Sequence, residues 1–297
     1  MATNPRPATP RPTDPRPATS RSAPRASRRG QVLLTGGMLV LLAFTVAPLY
    51  WLVIAATHTS HDVFGRPPHL LPGGALGSNL GHLQESVGFG RVVLNSVLLS
   101  LGYTVLGGTV CTLAGYGFAK YRFRGRGFLF SVLLLALVVP TQLTVVPLFK
   151  MMVDLDWLNT WQAVLLPNLA LPFGVFLMRQ SMRALPDELL QAGRIDGCGE
   201  LGLFFRIALP TMRPALAALA MFLFLFQWND FLWPLVVLRD QSSYTIPVAL
   251  AALTGSIDVD YGQLLTGTAV AAVPMAVLFL FLQKHFVSGM LAGAVKQ

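Results

Sequence analysis

Pro186-Asp187-Glu188-Leu189-Leu190-Gln191-Ala192-Gly193-Arg194-Ile195-Asp196-Gly197-Cys198-Gly199-Glu200, closed by Ile207-Ala208-Leu209-Pro210, is a polar, helix-prone segment set between two hydrophobic blocks. Pro186 suits the first turn of a helix, where its missing N–H is not needed. Asp187 and Glu188 follow and complement the positive end of the helix dipole. Leu185, Leu189 and Ala192 share a face at helical spacing, with Leu190 and Gly193 beside them. Gly197 and Gly199 stop the helix and permit a tight turn. A second short helix is predicted over 200–207, presenting Leu201, Phe204 and Phe205 and ended by Pro210. Small residues at 192, 193 and 197 leave room for another backbone to approach. On these residues alone the segment is either an amphipathic connector lying on lipid headgroups or a docking loop for another protein.

Working outward, the 297-residue chain is 54% hydrophobic and 12% charged, against roughly 25% charged in a soluble domain. The apolar residues fall into six blocks, 32–55, 94–119, 128–147, 161–178, 215–238 and 264–282. Each is close to the ~20 residues that cross a hydrocarbon core of ~30 Å. This is the pattern of an all-α polytopic membrane protein with six transmembrane helices. With both termini cytoplasmic, the inner segments hold 18 of the 22 Lys and Arg residues, and Arg66, Arg91, Lys150 and Arg239 fall outside. Positive loops stay inside, so this orientation is the expected one. The first block is longer than a signal-peptide core and is read as an anchor. The division expected is a basic Pro/Arg-rich disordered cytoplasmic tail (1–30), a first transmembrane helix (31–57), an extracytoplasmic loop (58–90), a transmembrane core (91–283) containing the cytoplasmic loop 184–210, and a cytoplasmic C-terminal tail (284–297).

The net charge of +9 calls for no nucleic-acid partner, because residues 1–30 carry seven Arg against the single acid Asp14. That tail repeats Asp/Asn-Pro-Arg-Pro-Ala-Thr at 4–9 and 14–19; it cannot bury a core, though it can attract anionic membrane lipid. Cys111 and Cys198 stand in no metal-ligand spacing, so no metal site is expected. None of the four lysines follows a glycine, which excludes a nucleotide-cradling G-x-x-x-x-G-K-[ST] loop. The chain is therefore expected to be a transport subunit rather than an enzyme, with no cofactor of its own.

Further segments carry a resemblance. They are Asn95-Ser96, Gly115-Tyr116-Gly117-Phe118-Ala119-Lys120-Tyr121-Arg122-Phe123-Arg124-Gly125, Leu158-Asn159-Thr160, Pro172-Phe173-Gly174, Leu177-Met178-Arg179-Gln180 and Trp228-Asn229-Asp230-Phe231-Leu232-Trp233-Pro234-Leu235. Gln283-Lys284-His285-Phe286-Val287-Ser288-Gly289 and Gly293-Ala294-Val295-Lys296 complete the set. With the loop quoted first, they resemble the smaller inner-membrane permease of ABC importers of the carbohydrate-uptake (maltose-type) group, from about residue 32 to the end. The resemblance implies an ABC type-1 importer permease fold in a bacterial-type cytoplasmic membrane. It also implies a second homologous permease, two ATPase subunits that bind ATP and Mg, and an extracytoplasmic solute-binding protein. The loop would be the "EAA" element that couples to the ATPase, through Glu188, Gln191, Ala192, Gly193, Asp196 and Gly197. Where the family has Glu-Ala-Ala this chain reads Gln191-Ala192-Gly193, which keeps hydrogen-bonding reach and loses the charge.

Sugars are held by planar polar groups and aromatic faces. Inside the blocks Asn95, Gln142, Asn168, Gln227, Asn229 and Asp230 are the pathway candidates, with Trp228 and Tyr103 as platforms. Trp228 and Trp233 also suit an interfacial aromatic belt. Asp230, the one acid within a block, is read equally as a pathway group or as a cap on backbone N–H groups. Pro140, Pro147, Pro167 and Pro172 are expected to break or kink the third and fourth spans. Two alternatives stand beside sugar import. A glycerol-phosphate ester would call for intramembrane Arg or Lys, which the blocks lack, and an ion-coupled secondary transporter would call for more intramembrane carboxylates.

Overall fold

The computed structural model describes residues 28–255 and 258–294, with side chains from residue 30 through 281. Residues 1–27 of the expected basic tail and 295–297 of the expected C-terminal tail lie outside the described residues. Among the described residues every regular element is helical. Helix α1 (Arg28–Ala55) contains Pro48, and the chain divides there into two compact units, 1–48 and 49–297. In the first unit Val32, Leu33, Met38, Leu41 and Phe44 are all more than half exposed, as suits a helix whose solvent is hydrocarbon.

The second unit begins with the end of α1 and continues through α2 (Ser60–Val63) and α3 (Leu76–Val87) into α4 (Phe89–Lys120). Helix α4 runs 32 residues without a break, roughly 48 Å at 1.5 Å per residue. Next come α5 (Arg126–Ala136), α6 (Thr141–Asp154), α7 (Trp161–Leu165) with its 3₁₀ extension Leu166–Asn168, α8 (Pro172–Arg183) and α9 (Asp187–Ile195). Helix α10 (Glu200–Gly202) widens into a π turn, Leu203–Ala208, and closes as α11 (Leu209–Thr211). The chain ends through α12 (Arg213–Trp228), α13 (Leu232–Val237), α14 (Ile246–Thr254) and α15 (Tyr261–Ala294).

Three stretches, Gly30–Ala55, Phe89–Lys120 and Tyr261–Phe281, are each long and apolar enough to cross a membrane. Among the described residues the count reaches six only when each of three bent helix pairs is taken as one span, the third of them being Glu200–Thr211 with Arg213–Trp228 at 81°. The third hydrophobic block is therefore not the straight crossing its length predicts. Helix α5 ends at Ala136, and α6 leaves it at 99°. Pro140 has no N–H to donate and disfavours helical backbone at Val139. Pro147, by contrast, sits within α6 without ending it. In the fourth block the 3₁₀ turn carrying Pro167 and the helix start at Pro172 produce a 47° bend. The fifth block breaks after Trp228, and α13 resumes at Leu232. The sixth helix does not stop at residue 283 but runs on to Ala294.

Helix α4 is the central rod of the second unit. A Cβ on Gly115 would meet Met178 Cβ at 2.5 Å and the Arg179 nitrogen at 2.8 Å, so the glycine is what lets α4 and α8 touch backbone to backbone. Tyr103, Cys111, Met178, Leu203, Leu219 and Leu223 are fully or almost fully buried around that contact. At one end of α4, segment 120–126 meets the 179–213 region. At the other end Asn95 donates to Ser242 O (2.9 Å) and Tyr244 O (3.1 Å), and Ser96 Oγ accepts from Ile246 N–H at 2.7 Å. Gln241 and Gln263 both reach Ser86 there. The Arg-rich segments and the 239–263 segments thus gather at opposite ends of one rod.

Candidate functional site

The loop between α8 and α12 is ordered by its own sequence. Pro186 (φ −59°, ψ 134°) stands at the cap just before α9 rather than in its first turn, and Asp187 and Glu188 open the helix. At the other end Gly197 has φ +83°, a conformation that suits glycine. Cys198 N–H donates to Gly193 O (2.9 Å) and Gly197 N–H to Arg194 O (3.1 Å). Those two bonds form a Schellman cap, satisfying carbonyls the helix leaves open. The predicted stop at Gly197 is what the structure contains.

The second short helix does not end at Pro210. It runs through the π turn to Thr211, where the widened backbone accommodates the proline ring that a regular α-turn would clash with. Phe204, expected on the surface, is buried with its ring 5.1 Å from Tyr116, while Leu201 and Phe205 remain exposed. Leu190 and Gly193 form the inward face of α9. A Cβ on Gly193 would meet Ile207 Cδ1 at 2.5 Å and Leu203 Cδ2 at 2.6 Å. The small residue there admits this chain's own second helix, which corrects the expectation that it makes room for a partner. The outward face carries Glu188, Gln191, Ala192, Ile195 and Asp196, all exposed. Ile195 is 86% exposed and Leu189 45%, so an apolar ridge runs between the polar groups.

Polar contacts tie this loop to the end of α4. Lys120 Nζ donates to Leu185 O (2.5 Å) and pairs with Asp187 Oδ1 at 2.6 Å. The Lys120 ammonium holds the Asp187 carboxyl below its ordinary range. Tyr121 Oη donates to Glu200 Oε2 at 2.6 Å, and Arg194 grips the same carboxylate through both oxygens at 3.0 and 3.3 Å. Arg194 first and Tyr121 second hold the Glu200 carboxyl low. That acceptor in turn pushes the Tyr121 phenol up to about 12.

The six pathway candidates do not assemble into one site. Asn168 and Asp230 share a cavity of ≈70 Å³ with Thr141, Thr144, Phe226 and Trp233, between α6, the 3₁₀ turn and the break after α12. Pockets that hold small ligands span ~300 Å³ or more, so this chain does not enclose a sugar there. Asp230 stands just before α13, which begins at Leu232. Its side chain lines the cavity. Gln142 is exposed at the first turn of α6. Asn95 is a correction: its amide is committed to Ser242 and Tyr244, which makes it a structural pin. Asn229 donates to Leu225 O in its own helix. Gln227 is buried with its Nε2 unpartnered among the described residues. The aromatic expectations are corrected as well. Trp228 Nε1 donates to Ala271 O, Trp233 Nε1 to Ala163 O and Tyr103 Oη to Asn168 O. All three rings are packed core, neither belt nor platform. A larger groove of ≈390 Å³ between α4 and α12 is lined mostly by apolar side chains such as Leu113, Phe204, Leu216 and Leu219.

A loop clamped to a transmembrane rod and offering an outward ridge is the geometry of a transport component. The model of the family described as "Binding-protein-dependent transport system inner membrane component" matches residues 111–291. The chain belongs to that family. This inner membrane component, a multi-pass membrane protein, is 39% identical to the arabinooligosaccharides transport system permease protein AraQ of Halalkalibacterium halodurans, over 89% of this chain and 96% of that one. It is 37% identical to the lactose transport system permease protein LacG of Rhizobium radiobacter, over 87% and 94%. It is 32% identical to the sn-glycerol-3-phosphate transport system permease protein UgpE of Yersinia pestis, over 89% and 97%. Among solved structures, a chain of a bacterial ABC transporter involved in import of the acidic polysaccharide alginate aligns with a TM-score of 0.74 at 21% identity, covering 89% of this chain and all of that one. At that identity the likeness establishes the ABC importer permease fold.

Sequence reasoning missed Lys120, Tyr121, Arg194 and Glu200 as a set in this permease. The motif that carries the first two was visible, but its partners lie 65 to 79 positions away in the chain. Asn159 was missed too. It adopts φ +60°, accepts from the Arg239 and Asp240 N–H groups at 3.1 Å, and donates to the Asp240 carboxylate.

Proposed function

We propose that this chain is one permease subunit of an ATP-driven importer that carries a sugar or oligosaccharide across the bacterial cytoplasmic membrane, with both termini cytoplasmic. A second homologous permease completes the pathway, two ATPase subunits bind ATP and Mg, and an extracytoplasmic binding protein delivers the solute. The observation that carries the reading is α9. It is closed by a Schellman cap at its C-terminal end, clamped to the end of α4, and leaves Ile195 86% exposed between polar neighbours. An isoleucine held that far from its own core on a rigid helix is an anchor for a groove in another protein. Burying it there contributes about 1.5–3 kcal/mol.

The relatives named for arabinooligosaccharides and lactose favour a neutral sugar, and the charge around the small Asp230 cavity disfavours an anionic solute passing it. Its polar lining of Thr141, Thr144, Asn168 and Asp230 includes a carboxylate and no cation, a setting that repels a phosphate ester. The relative named for sn-glycerol-3-phosphate supplies the second reading.

Two measurements test the proposal. Ile195→Arg is expected to leave the permease inserted and to reduce co-purification of ATPase subunits by about tenfold or more; unchanged co-purification removes the docking role. The intact complex in cells, offered labelled lactose, arabinotriose and glycerol 3-phosphate, is expected to take up a sugar. Uptake of glycerol 3-phosphate alone would transfer the assignment to the second reading.

A further inference from the structure

Backbone alone gives α9 little hold on the rest of the chain. It is nine residues long, joined to α8 through Ala184, Leu185 and Pro186, and to α10 through the turn at Gly197, Cys198 and Gly199. An arm of that kind would pivot about both joints when a partner pulls on its outer face. Beyond the core contacts of Leu185 and Leu190, two consecutive residues at the end of α4, Lys120 and the C-cap Tyr121, oppose it. Lys120, the last residue of the helix, has a side chain only 6% exposed and holds Leu185 O and Asp187 at the start of α9. Tyr121 leaves the helix in extended backbone, so its side chain diverges from that of Lys120. It reaches Glu200, which Arg194 ties back to the end of α9. The two grips therefore sit on either flank of the arm.

We propose that Lys120 and Tyr121 are positioning residues that make the docking loop and helix α4 move as one body. The inference rests on the docking reading and extends it. Because α4 is unbroken to Phe89, and Asn95 and Ser96 near its far end hold Ser242, Tyr244 and Ile246, a displacement applied at α9 reaches the opposite end of the rod undiluted.

The test uses the whole complex in nanodiscs, with Cys111→Ser, a spin label on the native Cys198 and a second on Val110→Cys. Pulsed distance measurements compare the ATP-free and ATP–vanadate states. With the clamp intact, one narrow distance is expected, the same in both states. In the Lys120→Met/Tyr121→Phe double variant that single distance is expected to be lost, with a broad distribution that shifts between states while the ATPase subunits still co-purify. Lys120→Arg alone, which keeps the cation, is expected to retain the narrow distance. A wild-type distance that changes on trapping overturns the proposal, as does a double variant as narrow as wild type. Should the double variant fail to insert, Tyr121→Phe, which deletes only the hydroxyl, is measured by the same criterion. If ATPase subunits do not co-purify with the wild type, the docking reading fails; the ATP-free comparison of wild type and variant still decides the clamp.

Discussion

The Asp230 cavity and the loop proposed to dock the ATPase are built in opposite ways. The loop is local. From Pro186 to Gly199 its helix start, Schellman cap and turn are set by residues within a few positions of one another, while the Lys120 and Tyr121 grips and the Tyr116 ring against Phe204 come from afar. The cavity draws Thr141, Asn168, and Phe226 with Asp230 from three separate stretches. It exists because Pro140 breaks one block, Pro167 and Pro172 bend another, and α12 stops at Trp228. A locally encoded element presents the same surface whatever the rest of the molecule does, which suits a docking site. A cavity at the meeting point of helix breaks changes shape when any of those helices tilts, which suits a conduit.

The largest effect that would break this contrast is expected at Gly197. An added Cβ there meets nothing within 4 Å, so Gly197→Arg is not excluded by its own chain. The φ of +83° costs a side chain about 1–2 kcal/mol, and the arginine projects from the outward turn. ATPase co-purification is expected to be lost while membrane insertion persists. Full co-purification and transport would show that the loop's surface is not the docking surface.

Gly193→Ala is expected to act next most strongly and by another route. Its methyl runs into Leu203 and Ile207, and overpacking of that kind costs about 1–3 kcal/mol. Partial protease sensitivity of the loop should appear, and Gly193→Ala combined with Leu203→Ala should relieve it. If the pair is no better than the single variant, the inward face is not where Gly193 acts.

At the cavity, Asp230→Asn keeps the side chain's shape and removes the charge. Assembly and basal ATP hydrolysis are expected to stay within about twofold, and the concentration dependence of uptake to shift by more than that, because a hydrogen bond to a charged group is worth about 1.5–3 kcal/mol. Uptake identical to wild type would remove Asp230 from the pathway. The smallest effect is expected from pH. Asp187 and Glu200 are both held below the ordinary carboxylate range. The stability they lend is present above the unfolded-state value of ~4 and is lost only as pH falls through the lower folded-state values. Spin-label distances across the clamp should therefore be flat from about pH 6 to 8; a transition inside that window would show that other groups hold the loop.

Periodicity and composition by themselves determined an all-helical membrane protein. Crossing ~30 Å of hydrocarbon requires ~20 apolar residues and satisfies every backbone group only in a helix or a closed barrel. The sequence also determined the start and stop of α9, because Pro186, the acids after it and Gly197 act through bonds within one or two turns. It did not determine which blocks cross straight, because a proline's effect depends on what packs beside it: Pro140 breaks its block and Pro147 does not. Nor did it assign Asn95, Trp228 and Trp233, whose polar atoms are spent on carbonyls far away in the chain. Only the tertiary structure decided that Lys120 and Tyr121 hold the loop from both sides. A hydrogen bond is a statement about distance in space, and residues 67 and 79 positions apart leave no periodic trace of it.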